Sequence, residues 1–220
     1  MNEEEKQMPD GSPATDTGEQ AQTEKPKKPG FWEQCYALMH DLVYILSIIT
    51  LFFVFAVRIV VVDGFSMFPT LVNGDKMALL SNVFYHDDII QNGDVVVALV
   101  PTFANTPIVK RVIATEGQTV DIDFDLGIVY VDGVALDEPY IYEPTWTQFY
   151  GNGVTFPMTI EDGHVFLMGD NRNDSSDSRR LDIGQVDTRH ILGKVLLVMI
   201  PGLDDRYTGV RDWGRVGTVN

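Results

Sequence analysis

The sixteen residues from Leu42 to Val57 carry no charge, and they lie between Asp41 and Arg58. A run of this kind restricts the chain more than any other feature, because a bilayer core asks for about 20 apolar residues in one helix. The shortfall closes if the helix starts near Tyr36, with His40 and Asp41 at the headgroups and Arg58 snorkelling at the far end. A cleaved leader has a short apolar stretch and then a small-residue cleavage site. Here the run passes directly into Ile59-Val60-Val61-Val62, so residues 31–58 are expected to be a retained transmembrane anchor. Lys25, Lys27 and Lys28 stand just before it, whereas Arg58 and the distant Lys76 are the first basic residues after it. The positive-inside bias then puts the N-terminus in the cytoplasm and everything beyond the helix outside. Trp32 and Tyr36 suit the inner interface.

Residues 1–30 are rich in Glu, Gln, Thr, Pro, Gly and Lys, which is the composition of a disordered cytoplasmic tail. Net charge is −16, and from Arg58 onward 12 Lys and Arg face 23 Asp and Glu. So acidic a surface excludes nucleic acid as a partner, since phosphates need basic patches. It equally excludes adhesion to anionic lipid by charge, and attachment to the lipid bilayer must be hydrophobic. Cys35 is the only cysteine, so no intrachain disulfide forms, and it reads as a small buried hydrophobe.

From residue 59 to 220 the signals are mainly β. Gly93 to Val100 is an apolar run ended by Pro101, and its β-branched content fits a buried strand. Val120-Asp121-Ile122-Asp123-Phe124-Asp125 alternates strictly, giving one apolar and one solvated acidic face. No loop of the calcium-binding type surrounds it, and neither metal nor cofactor is expected. Asp132-Gly133 between Ile128–Val131 and Val134–Leu136 marks a hairpin. His164–Met168 and Gly193–Ile200 read as further strands. The aromatic, Gly- and Pro-bearing segment from Tyr140 to Pro157 reads as an insertion packed within itself, part of a possible inserted subdomain around 117–163. Beyond Pro201 the sequence carries little signal.

Asp63-Gly64-Phe65-Ser66-Met67-Phe68-Pro69-Thr70-Leu71 sets a serine between bulky apolar residues just ahead of a proline. Pro69 disfavours helix at Phe68 and points to an extended segment. A serine needs a base to act as a nucleophile at neutral pH. Of the four histidines, His40 is on the wrong side of the membrane, and His86, His164 and His190 lie in no motif. Phe68 breaks the nucleophile-elbow pattern. Lys110 is flanked by Ile108, Val109, Val112 and Ile113, neighbours able to desolvate its amine and lower a pKa that is ordinarily about 10.4.

Three segments together carry a resemblance. Ser66-Met67-Phe68-Pro69-Thr70 has the form Ser-Met-x-Pro-Thr, Lys110-Arg111-Val112 is Lys-Arg-Val, and Gly169 to Arg179 fills every fixed position of Gly-Asp-Asn-Arg-x-x-Ser-x-Asp-Ser-Arg. In this order, behind an N-terminal anchor, the chain from about Phe31 to Pro201 resembles the bacterial type I signal peptidases. The resemblance implies an extracytoplasmic antiparallel β catalytic domain and a serine endopeptidase that removes signal peptides from exported preproteins. It implies Ser66 as nucleophile, Lys110 as general base and Ser175 as the serine that orients the lysine amine. Asp170, Asp177, Arg111 and Arg179 become a supporting ion-pair framework. Some relatives place a serine at the position of Gly64, so the oxyanion site here is expected to use backbone around Gly64 and the Ser66 N–H.

The small-x-small substrate motif calls for two shallow apolar pockets, for which Val60, Val62, Met67, Leu71 and Val109 are candidates. An extended peptide would add beside a strand edge. The expected partners are preprotein signal peptides, the bilayer and a nearby secretion translocon. Two other readings stand beside this one: a peptidase dedicated to a few surface or pilin-like substrates, and a catalytically silent peptide-binding membrane protein.

Overall fold

A computed structural model of the protein describes residues 30–82, 90–103, 106–203 and 209–219; His86 and the tail over 1–29 lie outside them. Two compact units meet in sequence between Tyr44 and Ile45. Helix α1 spans Phe31–Ala56. No Gly or Pro interrupts it, and Glu33 accepts from the Gly30 N–H at 3.0 Å, the one half of a capping box that a residue without a side chain allows. Its 26 residues give about 39 Å at 1.5 Å per residue, which exceeds a hydrocarbon core. Apolar side chains such as Ile45, Ile48, Phe52 and Phe55 are exposed along it, so the helix is long and apolar enough to cross a membrane. Cys35 is half-buried rather than buried, since neighbouring protein does not cover this stretch.

The second unit is built on antiparallel sheets. The larger comprises β1 (Val57–Val61), β2 (Lys76–Ser81), β3 (Val95–Ala98), β4 (Ile108–Thr115), β9 (His164–Met168), β10 (Val186–Asp187), β11 (Ile191–Ile200) and β12 (Gly217–Thr218). Their order is β1-β2-β11-β3-β4-β9-β10, with β12 added on β11. The smaller sheet runs β7 (Val134–Ala135), β6 (Ile128–Val131), β5 (Thr119–Asp123), β8 (Met158–Thr159). Alternation decides the faces: on β5, Val120 and Ile122 are buried and Asp121 is exposed. Asp132 (φ 51°) and Gly133 (φ 77°) both take the positive φ that a two-residue hairpin turn between β6 and β7 needs.

Strand β4 is the one that matters for the site. It is sandwiched in the sheet, with Lys110 opposite Val96 of β3 and Arg111 opposite both Val95 of β3 and Met168 of β9. Val112 enters a core with Val96, Leu167 and Ile191. Ile113 enters another with Val120, Val129 and Phe166 beneath the smaller sheet. A third core gathers Val62, Met67, Leu71, Met77, Val97 and Val195. Burying each such side chain is worth about 1.5–3 kcal/mol, so β4 is locked on every side.

Beyond Cys35, the structure departs from the sequence expectations at Ser66 and over Tyr140 to Pro157, and it adds a strand, β2, that they did not cover. Ser66 does not sit on an extended segment: Phe68 N–H donates to Phe65 O at 3.0 Å and Leu71 N–H to Met67 O at 2.9 Å, winding the stretch into turns. Those turns let Met67 and Leu71 point together into one core. Strand β2 carries no β-branched residue and has no sequence signal, yet it pairs along both β1 and β11. Tyr140 to Pro157 does not pack only within itself, because its aromatics cover arginines of the motifs, as described next.

Candidate active site

Ser66 follows β1 on the turn segment, and Lys110 projects from β4. Lys110 Nζ lies 2.7 Å from Ser66 Oγ and donates to Val109 O at 2.9 Å. Lys110 is only 3% exposed. Burial lowers its pKa from 10.5 to about 8, while the carboxylates of Asp177 and Asp170 pull it back up and Arg179 pushes it down. A tenth of such amines are neutral at pH 7, against roughly one in a few thousand for a free lysine.

Two buried ion pairs hold this contact in place. Arg111, next along β4, grips Asp170 through Nε at 2.9 Å and Nη2 at 2.8 Å, and donates Nη1 to Gly93 O at 2.7 Å. Arg179 grips Asp177 in the same two-pronged way at 2.8 Å for each bond. All four side chains are essentially inaccessible. Such forks fix geometry as well as charge, and losing one partner would leave the other buried and unpaired. Asp177 also accepts the Gly169 N–H at 3.0 Å; burial pushes its carboxyl up, but the charge and hydrogen bonds of Arg179 together with the Gly169 N–H outweigh this and hold it below the usual range.

The third motif grips the first directly. Asn171 N–H donates to Ser66 O at 3.0 Å and Asn171 Nδ2 to Phe65 O at 3.1 Å, while Thr70 Oγ1 donates to Asp170 Oδ2 at 2.5 Å. Gly169 has no room for a side chain: a Cβ there would fall 2.3 Å from Ser175 Oγ and 2.4 Å from Ser66 O.

Several expected contacts take a different form. The buried Ser175 hydroxyl does not bond Lys110; it makes no hydrogen bond of normal geometry, although it lies near enough to Asp177 to lower that carboxyl's pKa. The amine instead uses Ser66 and the carbonyl of Val109. Gly64 supplies no oxyanion donor, because its N–H is committed to Asn73 Oδ1 at 3.0 Å. What it supplies is space, with φ of +111° and no atom within 4 Å of where a Cβ would stand. The Ser66 N–H meets no acceptor among the described residues.

A groove of about 390 Å³ opens over the dyad, lined by Val60, Val62, Gly64, Ser66, Met67, Val109 and Lys110. Leu71 takes no part, being fully buried in the core behind it. Val97, Pro107 and Ile108 line it as well; Val97 is brought there by pairing with Val109, which no local pattern announces. The sequence reading also misses a supporting tier. Arg172 bonds Glu138 and Thr145, Tyr140 stacks on Arg111 with its ring centre 4.0 Å from the guanidinium carbon, and Tyr142 meets Phe68 edge-on. No group of three potential metal ligands occurs among the described residues.

Geometry of this kind allows nucleophilic attack by Ser66 with an amine as proton acceptor. Comparison with known proteins bears on the family of the chain. The family model described as "Signal peptidase, peptidase S26" matches residues 35–200. "Probable signal peptidase I-1" of Synechocystis is 36% identical over 181 residues, covering 79% of this chain and 82% of that protein. "Signal peptidase I" of Bacillus amyloliquefaciens is 31% identical over 188 residues, covering 84% and 93%. A crystal structure of a signal peptidase I from Enterococcus faecalis aligns at 28% identity and a TM-score of 0.40, over 48% of this chain and 95% of that one. With three quarters of its length matched by the family model and relatives above 30% identity aligned over most of it, the chain belongs to the signal peptidase family, peptidase S26.

Proposed function

We propose that the protein is a membrane-anchored serine endopeptidase that cleaves signal peptides from exported preproteins after a small-x-small motif, with Ser66 as nucleophile and Lys110 as general base. The observation that carries this reading is the 2.7 Å contact between Ser66 Oγ and a lysine amine that is almost wholly buried. Neutral Lys110 takes the Ser66 proton as Oγ attacks the scissile carbonyl. The ammonium so formed protonates the leaving amine, and the neutral base then activates water against the acyl-enzyme. The free Ser66 N–H is the donor aimed at the developing oxyanion. Val60, Val62, Met67 and Val109 form shallow apolar walls that admit small side chains. In this reading α1 holds the enzyme in the bilayer with its N-terminus cytoplasmic, a sense supported by Lys25, Lys27 and Lys28. The β unit lies outside, where preproteins emerge near the translocon. Ser66→Ala and Lys110→Ala should each abolish processing of a preprotein by the full chain in detergent. Near-normal turnover in Lys110→Ala refutes the dyad.

A further inference from the structure

The family match ends at residue 200, yet a side chain fifteen residues further on reaches the serine segment. Arg215 Nη2 donates to Thr70 O at 2.9 Å and to Asp75 Oδ2 at 2.7 Å, and Nη1 donates to Asp75 Oδ1 at 3.0 Å. Asp75 is inaccessible to solvent and also accepts the N–H groups of Val72 at 2.8 Å and Gly202 at 2.6 Å. The same turn controls the chain ahead of Ser66. Val62 N–H donates to Asp75 O, Gly74 N–H to Val62 O, and Gly64 N–H to the Asn73 side chain. Thr70 is thus held on two sides, its hydroxyl by Asp170 and its carbonyl by Arg215.

Arg215 is itself seated firmly. It closes a short helical turn, Trp213–Arg215, capped by Asp212 through the Gly214 N–H at 2.8 Å. Immediately after it, β12 pairs with Leu197 and Val198 of β11. Val219 then packs on the core that holds Val62, Met67 and Leu71. We propose that Arg215 is a positioning residue for Ser66: its guanidinium ties the Thr70 carbonyl to the Asp75 carboxylate, closing the loop from Val62 to Asp75 so that Ser66 Oγ stays within reach of Lys110. This rests on the Ser66–Lys110 reading above. The planar fork is what spans the two acceptors; an ammonium can neutralise Asp75 but cannot bridge both in fixed geometry.

The test measures kcat and KM for preprotein cleavage by the full chain in detergent, per folded molecule as counted by near-ultraviolet circular dichroism. Arg215→Lys keeps the charge facing Asp75, so it separates positioning from folding. Its kcat should fall severalfold with KM unchanged, and Arg215→Ala should lose about ten- to a hundredfold, the range expected when a nucleophile is misplaced by about 1 Å. Wild-type kcat in Arg215→Lys overturns the proposal, as does a rise in KM alone, since the groove and not Ser66 would then have moved. Ser66→Ala and Lys110→Ala in the same assay keep the two readings apart. If those variants still turn over, the dyad has failed; if they are dead and Arg215→Lys is normal, only the role of Arg215 has.

Discussion

Replacing Lys110 by Met should stabilise the protein at neutral pH and invert that ranking in alkali. A drop in pKa from 10.5 to about 8 corresponds to about 3 kcal/mol, at 1.36 kcal/mol per pH unit. Below pH 8 the amine is charged in both folded and unfolded chains, and the folded protein bears the whole cost of keeping an ammonium dry. Between pH 8 and 10.5 the folded amine is neutral while the unfolded one is still charged, so the wild type gains on the variant throughout this window. Above 10.5 nothing further changes. Met also forfeits the two hydrogen bonds to Ser66 Oγ and Val109 O, worth about 1 kcal/mol each. The net expectation is a Met variant more stable by about 1 kcal/mol at pH 7 and less stable by about 2 kcal/mol above pH 10.5. Urea unfolding of the full chains in detergent, at a series of pH values, reads this directly, because the difference between the two proteins isolates the amine. A difference that stays constant from pH 7 to 10.5 refutes the argument.

Other expectations follow from the same geometry. Cleavage must rise with pH, since the base works only when neutral: kcat/KM should climb tenfold per pH unit below about 8 and then level off; a flat profile from pH 6 to 9 contradicts it. Gly169→Ala drives a methyl into Ser175 Oγ and Ser66 O, so it should cost about 1–3 kcal/mol in thermal unfolding and most of the activity. Ser175→Ala removes a buried hydroxyl with no bond of normal geometry, so its unfolding midpoint should match or exceed that of the wild type. A loss of several degrees would show that the hydroxyl has a partner.

The parts of the molecule that read from sequence are those whose cause is local. The stretch before residue 57 reads as one long apolar helix because nothing from Leu42 to Val57 carries a charge, and β5 reads as a strand because Val120 and Ile122 alternate with aspartates. Asp132-Gly133 announces its hairpin by turn chemistry alone. What did not read depends on residues far apart in the chain. Strand β2 is a strand because β1 and β11 flank it, not because Lys76–Ser81 favours extension. Leu71 stands close to Ser66 in sequence, but a turn carries it behind the groove into the core. Arg215 meets Asp75 across 140 residues, and no composition or spacing marks it. At the site, the three motifs named residues that the fold brings together: Ser66 with Lys110, Arg111 with Asp170, and Arg179 with Asp177. They did not supply the distances, nor the fact that Ser175 leaves the amine to Val109 O.

The most direct measurement is the titration of Lys110 itself, in full-length protein carrying ¹³C-labelled lysine, with its Cε signal assigned by its loss in Lys110→Met. A midpoint at about 8 is what a desolvated amine touching Ser66 requires. A midpoint near the ordinary value of 10.5 would mean that the amine holds its proton at every pH at which the enzyme works, and Lys110 could not be its base.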